Sequence, residues 1–234
     1  MVNKRLIWEL ETRHLLLSNQ FGFRRNQSTS DCLVILESKI RESFASGKDV
    51  VAIFFDLQNA YGMASAQNIL YTLSGWGISG NILHFIKNFM TTRTFKLIMG
   101  NMLTSSFKTE NGVPQGEILS VTLFLVAING IESFIQNFID YLIYADDITI
   151  YVASKNISEI EVVLQNAITN LSMWASRTGC KFSCTKTNAV HFTNCRKCKP
   201  SPKLLLNNLP INFVTEIKYL RVSFLIKNLL LNYK

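Results

Sequence analysis

Apolar runs alternate with amphipathic stretches along the chain, and their lengths predict a mixture of strands and helices. Asp49 to Asp56 (DVVAIFFD) is a β-branched and aromatic run, too short for a typical helix, that suits a strand buried on both faces. Tyr141 to Tyr144 and Ile148 to Val152 are similar runs, separated only by the Ala-Asp-Asp of positions 145–147. This pattern predicts a hairpin with an acidic tip.

Two longer segments have helical patterns. Between Asn156 and Ser176 the apolar residues form one stripe, and Ser158 with Glu161 has the spacing of a capping box. The segment Ile118 to Ile131 is more uniformly apolar, is entered through a turn at 113–116 and has Asn-Gly near its end. Strands therefore alternate with helices, which predicts an α/β (α+β) fold.

The last part of the chain contains shorter strand candidates. They are Lys203 to Leu206 and Glu216 to Leu225, around a turn with Asn207, Asn208 and Pro210. There is no internal repeat and no low-complexity linker, which predicts one continuous unit.

Composition and charge narrow the class of partner. The chain has 234 residues, 48% of them hydrophobic, and a formal charge of +8. From Arg177 to Lys234 the only acidic residue is Glu216, so this end presents a basic surface. Such a surface attracts nucleic acids through their phosphates, although anionic membranes attract it too.

Nothing in the sequence has the pattern of a secretory signal, and the apolar run Ile118 to Ile131 is shorter than the roughly 20 residues that span a bilayer. We therefore expect an intracellular protein that is not secreted. Five cysteines, an odd number, predict reduced thiols and no disulfide framework. Four of them, with His191 as a substitute, leave open a zinc site of unfamiliar spacing: Cys180, Cys184, Cys195 and Cys198.

The acidic tip is the chemical feature that needs explanation. Two adjacent carboxylates repel each other, and a bound cation would relieve the repulsion. If the strand ending in Asp56 lies beside the hairpin, its carboxylate joins Asp146 and Asp147, and oxygen ligands of this kind suit Mg²⁺ or Mn²⁺. A pair of such ions about 3.5–4 Å apart serves phosphoryl transfer. Taken alone, an Asp-Asp pair is more often a solvated turn.

Six short motifs follow one another along nearly the whole chain. They are Gln20-Phe21-Gly22-Phe23-Arg24 with Ser28-Thr29 and Asp31; Phe54-Phe55-Asp56-Leu57 with Ala60-Tyr61; Asn111 to Phe124 (NGVPQGEILSVTLF); Tyr144-Ala145-Asp146-Asp147; Trp174 with Gly179 and Lys186-Thr187; and Lys218-Tyr219-Leu220. In this order and spacing they resemble the fingers motif and motifs A to E of the reverse transcriptase domain of a non-LTR (LINE-type) retrotransposon.

The resemblance implies a catalytic centre. Asp56, Asp146 and Asp147 would be the ligands of two Mg²⁺ or Mn²⁺ ions, with the Leu57 carbonyl as a backbone ligand. Lys186 would protonate the pyrophosphate leaving group. The alternative for Lys186 is a solvated surface lysine.

It also implies residues that bind substrate. Tyr61 would be the steric gate that crowds a ribonucleotide 2′-hydroxyl, unless it is only a core aromatic. Gln115 and Gly116 would line the nucleotide and template pocket, and Arg24 would contact triphosphate or template. The segment Lys218-Tyr219-Leu220 would be the primer grip.

The fold implied is a palm with an antiparallel ferredoxin-like sheet backed by helices, plus part of the fingers. Residues 1–48 would be partial fingers and residues 49–234 the palm through the primer grip, with further fingers segments between 62 and 112. The function implied is RNA-directed DNA polymerase, with RNA template, DNA primer and dNTP as partners and no membrane. We expect a nuclear or cytoplasmic ribonucleoprotein, while the oligomeric state stays open.

The chain departs from the family pattern at several positions and lacks what resembles a thumb. The usual residues are Asp at 62, Ser at 117, Pro at 121, Asn at 183 and Gly at 221, where this chain has Gly62, Glu117, Val121, Ser183 and Arg221. These departures favour an alternative, a degenerate relic that at most binds nucleic acid. A second alternative, an RNA-directed RNA polymerase, is disfavoured by Tyr61 and by the Ala of Tyr-Ala-Asp-Asp.

Overall fold

The computed structural model describes residues 1–109, 111–195 and 200–225, together with the backbone of 232–233. The chain forms two compact units, each assembled from several segments. The first contains Met1–Leu17, Asn59–Gly130 and Arg177–Cys180; the second contains Ser18–Gln58, Ile131–Ser176 and Lys181–Lys234. The division of the chain into fingers (1–48 and segments of 62–112) and palm (49–234) stays a prediction.

The described residues form helices and strands in the following order. The helices are α1 (Val2–Thr12), α2 (Thr29–Ala45), α3 (Ala60–Met63), α4 (Ala66–Gly75), α5 (Gly80–Thr91), α6 (Ile118–Ile128) and α7 (Ile157–Thr178), and a 3-10 helix spans Asn129–Phe134. The strands are β1 (Asp49–Phe55), β2 (Thr94–Phe95), β3 (Ile98–Met99), β4 (Met102–Leu103), β5 (Phe107–Lys108), β6 (Asp140–Tyr144), β7 (Asp147–Ser154), β8 (Asn188–Phe192), β9 (Leu205–Leu206), β10 (Leu209–Pro210), β11 (Asn212–Phe213), β12 (Glu216–Tyr219), β13 (Val222–Leu225) and β14 (Asn232–Tyr233).

The second unit is built on a five-stranded sheet in the order β11-β8-β1-β7-β6. Strand β1 is antiparallel to both β7 and β8, and β6 is antiparallel to β7. Strands β1 and β6 therefore run parallel with β7 inserted between them, which is the split βαβ arrangement of ferredoxin-like folds. The strands predicted at Asp49 to Asp56, Tyr141 to Tyr144 and Ile148 to Val152, the hairpin and the antiparallel ferredoxin-like sheet are confirmed.

Both faces of this sheet are covered, which explains why every residue of β1 is buried. On one face, Val50, Ala52 and Phe54 belong to a core cluster with apolar residues of α2 and of the β12–β13 hairpin. On the other, the Phe55 ring lies 4.9 Å from the Phe182 ring, which in turn lies 6.1 Å from Trp174 on α7. A continuous apolar run in the sequence is the signature of a strand in this position.

The first unit contains the remaining helices and two short hairpins. Helix α4 packs against α5 and α6, and α1 packs against α6. The hairpins are formed by β2 with β5 and by β3 with β4. No helix in the described part of the chain is both long enough and apolar enough to cross a membrane.

Two predicted helix ends differ from the structure. The prediction that Ser158 and Glu161 form a capping box on α7 is wrong. Asn156 Oδ1 accepts the Ser158 N–H (3.0 Å), and Glu161 Oε2 accepts the Lys203 N–H (2.8 Å) instead. A capping box forms instead on α2, where Asp31 Oδ2 accepts the Ser28 N–H at 2.6 Å. At the start of each helix, the capping pattern depends on which nearby side chain accepts the free backbone N–H groups.

The apolar helix α6 ends at Ile128 rather than Ile131 and continues as the 3-10 helix. Asn129 holds this end in place: its Oδ1 accepts the Leu17 N–H and its Nδ2 donates to the Leu15 carbonyl, each at 3.0 Å. Tightening to 3-10 geometry is a common way for a helix to end.

The segment Glu216 to Leu225 is a hairpin rather than one strand. Strand β12 pairs with β13 around Leu220 and Arg221, whose φ angles are 48° and 71°. Two successive residues with positive φ form a type I′ turn, which favours Asn and Gly. The sequence prediction missed the turn because leucine and arginine give no turn signal.

Replacing Arg221 with glycine should stabilise the protein. We expect Arg221→Gly to raise the free energy of unfolding by about 1 kcal/mol, because it removes the steric cost of a left-handed backbone. Urea unfolding measures the change. Arg221→Ala is the matched control, since it removes the same charge but keeps a Cβ, and an equal gain from both variants would contradict the explanation.

Candidate active site

The pairing of β1 with β7 sets the position of the acidic residues. Phe55 is the partner of Ile148 in this antiparallel ladder, so Asp56 and Asp147 are the next residues on neighbouring strands. Neighbouring strands lie about 5 Å apart. The structure therefore brings Asp56 beside the acidic turn, although the two are distant in sequence.

The acidic turn has a strained backbone. Tyr144 pairs with Asp147, which leaves Ala145 and Asp146 as a two-residue loop. Ala145 has a φ of 58°, whereas Asp146 is not among the residues with positive φ. Positive φ at the first central position alone is the pattern of a type II′ turn, where glycine is usual. Ala145 is buried and Asp146 is exposed.

The carboxylates interact electrostatically. The pKa of Asp147 is raised to about 6, first because the surrounding protein removes water from its carboxyl group, and then because of the negative charges of Asp146 and Asp56. The residue as a whole is nevertheless exposed. Asp56 Oδ2 is buried and has no hydrogen-bond partner. Repulsion and a buried oxygen without a hydrogen bond both favour a bound cation.

Lys186 forms an ion pair with this group. Its Nζ is 3.6 Å from Asp56 Oδ2, and its side chain is 71% exposed. An ion pair this exposed contributes little to stability, so Lys186 stays available for other contacts.

The loop that carries Lys186 is attached to the end of β1. Ser183 N–H donates to the Asp56 carbonyl and Gln58 N–H donates to the Lys181 carbonyl, both at 2.8 Å. These bonds form an isolated bridge between Leu57 and Phe182 that does not use the Leu57 carbonyl. The Leu57 carbonyl, which is the predicted backbone ligand, therefore accepts no hydrogen bond in this bridge.

The donors suit a hard divalent cation, but they are not gathered into a finished ligand shell. Among residues 1–109, 111–195 and 200–225, no three His, Cys, Asp or Glu side chains are close enough together to hold one metal ion. The fit rests on the type of donor and on the buried Asp56 oxygen that has no hydrogen bond. Cys32, Cys180, Cys184 and Cys195 are free thiols, and Cys198 lies outside the described residues.

Tyr61, Gln115 and Gly116 belong to the first unit. Tyr61 is half-buried and stacks on the buried Phe124 with ring centroids 4.7 Å apart, while its carbonyl accepts the Val113 N–H at 2.8 Å. Gln115 is exposed. Gly116 has a φ of 92°, and open space surrounds the place where a Cβ would stand. Tyr61 therefore has the packing of a core aromatic, although the residue is only half-buried.

The predicted triphosphate and primer contacts lie in the second unit. Arg24 Nη1 donates to the Gln20 carbonyl at 3.2 Å. In the primer-grip segment, Lys218 is exposed and Leu220 is half-buried. The Tyr219 side chain is buried, with its ring 5.1 Å from that of Phe54. Tyr219 thus supports the hairpin from within the core rather than presenting its ring at the surface.

The sequence prediction missed the structural part played by residues 19–22. Phe21 N–H donates to the Ile143 carbonyl at 2.8 Å, and Ile143 N–H donates to the Asn19 carbonyl at 2.9 Å, so this segment adds to the free edge of β6. At Gly22, a Cβ would overlap the Ala145 nitrogen and stand 3.0 Å from its Cα. The motif containing Gly22 was visible in the sequence, but its contact with the acidic turn was not.

Comparison with known proteins identifies the family. A family model described as reverse transcriptase (RNA-dependent DNA polymerase) matches residues 1–224. The chain belongs to the reverse transcriptase family. Reverse transcriptases use divalent metal ions.

Relatives of this reverse transcriptase chain come from mobile elements. The RNA-directed DNA polymerase from mobile element jockey of Drosophila funebris is 26% identical over 229 residues, covering 95% of this chain and 25% of that protein. The probable RNA-directed DNA polymerase from transposon BS of Drosophila melanogaster is 25% identical over 235 residues, with the same two coverages. The chain spans about a quarter of the length of these curated relatives.

Solved structures support the fold. The structure of telomerase from Candida albicans in complex with the TWJ fragment of telomeric RNA matches 100% of this chain and 37% of that one, with a TM-score of 0.69 at 14% identity. The predicted recognition of a partial non-LTR reverse transcriptase domain and the predicted reverse transcriptase fold are confirmed.

A side chain at position 22 should disturb the acidic turn. We expect Gly22→Ala to lower the free energy of unfolding by about 1–3 kcal/mol, because the overlap is with backbone atoms that cannot rotate away. Gly75→Ala is the control: a Cβ there meets nothing within 4 Å, so stability should be unchanged or slightly higher. Chemical denaturation measures both, and equal stability of Gly22→Ala and wild type would contradict the contact.

The raised pKa of Asp147 predicts a pH-dependent effect of Asp147→Asn in metal-free buffer. A carboxyl group with a raised folded-state pKa stabilises the fold below its ordinary pKa of 3.8, and this contribution is lost as the pH rises to about 6. The variant should therefore match wild type near pH 3.5 and become the more stable protein above pH 6. Thermal unfolding across this range tests it; a constant difference would contradict the pKa.

Proposed function

We propose that this chain is the polymerase core of an RNA-directed DNA polymerase of a non-LTR retrotransposon. The observation that carries the proposal is the position of Asp56 beside the Asp146-Asp147 turn, in a chain of the reverse transcriptase family. Three carboxylates at the same end of strands β1 and β7, with a lysine 3.6 Å from one of them, provide the type of ligand found in sites that transfer phosphoryl groups.

The proposed reaction extends a DNA primer on an RNA template. The 3′-hydroxyl gives its proton to water, and its oxygen forms a bond to the α-phosphorus of a dNTP. The bond from that phosphorus to the oxygen that bridges to the β-phosphate breaks, and pyrophosphate leaves. Two Mg²⁺ or Mn²⁺ ions held by Asp56, Asp146 and Asp147, with the Leu57 carbonyl, would supply a polarised hydroxyl and charge neutralisation. Lys186 would donate the proton that the leaving pyrophosphate gains.

The remaining residues are proposed to select and hold the substrates. Tyr61 would crowd a ribonucleotide 2′-hydroxyl, while Gln115 and Gly116 would line the nucleotide and template pocket. The open space at Gly116 supports this assignment, because it lets a ligand approach the backbone. Arg24 would bind the triphosphate or the template.

In the primer grip, the exposed Lys218 would contact primer phosphate, and Tyr219 and Leu220 would fix the hairpin that presents it. The net charge of +8 supports a nucleic-acid partner. The similarity to RNA-directed DNA polymerases of mobile elements supports an RNA template, and we propose a nuclear or cytoplasmic ribonucleoprotein as the setting.

A degenerate relic is the second candidate function. Arg221 supports it, because the residue occupies a left-handed position, φ 71°, where the family has glycine. Such a chain would keep its fold and some affinity for nucleic acid without turnover.

Primer extension separates the candidates. The chain is incubated with an RNA template, a DNA primer, dNTPs and Mg²⁺ or Mn²⁺, alongside Asp146→Asn. We expect the variant to lose at least about a hundredfold in rate, because a metal ligand contributes several kcal/mol to lowering the barrier.

Asp140→Asn is the matched control for this assay. It makes the same change at the other end of β6, where Asp140 pairs with the exposed Lys39, and it should retain the wild-type rate. Equal incorporation by wild type and Asp146→Asn would refute the catalytic assignment. No incorporation by either, with retained binding of an RNA–DNA hybrid, would favour the relic.

A further inference from the structure

A buried glutamine lies behind the acidic turn. Gln20 is only 2% exposed, although a polar side chain of this length is usually found at the surface. Its position is fixed by the backbone bonds of Asn19 and Phe21 to Ile143, which form a parallel bridge between Gln20 and β6. These bonds fix the Gln20 backbone beside Ile143, which lies two residues before Ala145 of the turn.

The Gln20 side chain holds the strained residue of the turn. Its Oε1 accepts the Ala145 N–H at 3.3 Å and the Gly22 N–H at 2.9 Å. Ala145 is the residue whose φ of 58° sets the direction of the chain at Asp146. A single side-chain oxygen thus ties the turn to residues 19–22.

Among the described residues, the Gln20 amide forms hydrogen bonds only through its oxygen. Gln20 Nε2 is buried and has no hydrogen-bond partner among the described residues, so both bonds depend on Oε1. Buried backbone amides are nearly always paired, and without Oε1 the Ala145 and Gly22 amides would lose this acceptor. A turn in an unfavourable conformation persists only while its surroundings hold it there.

We propose that Gln20 is a positioning residue for catalysis, which sets where the Asp146 and Asp147 carboxylates stand by accepting the Ala145 amide. Its catalytic consequence rests on the proposed function, whereas its effect on the turn does not. Nothing in the sequence pattern assigned this part to Gln20, because the contact joins residues 125 positions apart.

Two substitutions separate the acceptor from the packing. Gln20→Met keeps the length and volume of the side chain but removes the acceptor, and Gln20→Glu keeps an oxygen in the same place. Gln165→Met is the matched control, because Gln165 also bonds a backbone through both amide atoms, to Leu205 at 2.9 and 3.0 Å, away from the acidic turn. Gln165→Met loses two hydrogen bonds, as Gln20→Met does, but neither of them involves Ala145.

The test combines amide hydrogen exchange resolved at Ala145, Mn²⁺ binding followed by electron paramagnetic resonance, and steady-state primer extension, all on the full chain. In Gln20→Met we expect Ala145 exchange to be at least about tenfold faster than in wild type and in Gln165→Met. The Mn²⁺ dissociation constant should rise, and kcat should fall about tenfold or more with an unchanged KM for dNTP. Gln20→Glu should restore the exchange protection.

Unchanged Ala145 exchange in Gln20→Met would overturn the inference, as would faster exchange with unaltered Mn²⁺ affinity. If the wild-type chain does not polymerise, the proposed function fails, and exchange with Mn²⁺ affinity still decides whether Gln20 positions the turn.

Discussion

The antiparallel pairing of β1 with β7 is the constraint on which the site depends. It sets Asp56 next to Asp147 across the ladder, and the two-residue turn then adds Asp146. Burial of the Asp147 carboxyl group and the like charges of Asp146 and Asp56 both raise its pKa, and these like charges oppose folding. The sheet tolerates them because β1 is buried along its whole length, and that apolar burial outweighs repulsion at one end of the strand.

The environment of the carboxylates is that of a site prepared for a cation. One oxygen of Asp56 is buried without a hydrogen bond, and the lysine nearest to it is mostly exposed and stands at 3.6 Å rather than in close contact. Neither feature improves the stability of the isolated chain. Both features are expected if function requires positive charge at this position. Strain at a functional site also explains why the turn contains Ala145, with a φ of 58°, where glycine would be unstrained.

The strands of the sheet could be predicted from local pattern, since β1, β6 and β7 are β-branched and aromatic runs of typical strand length. Ordered motifs marked the three acidic residues, and the strand pairing sets Asp56 beside Asp147, while their role as metal ligands stays a prediction. What the sequence did not reveal depends on contacts between distant residues: Asn129 with Leu15 and Leu17, Gly22 and Gln20 with Ala145, and the burial of Tyr219. The turn at Leu220 and Arg221 was missed for another reason, because neither residue has a turn preference.

The central claim is that Asp56, Asp146 and Asp147 converge to hold divalent ions. The most direct measurement is an anomalous difference map from crystals of the chain soaked in Mn²⁺, with and without an RNA–DNA hybrid and a dNTP. The account predicts a peak bordered by the carboxylates of Asp56 and Asp147, with Asp146 as a further ligand when substrates are bound. Mn²⁺ that avoids these carboxylates in both crystals would contradict it.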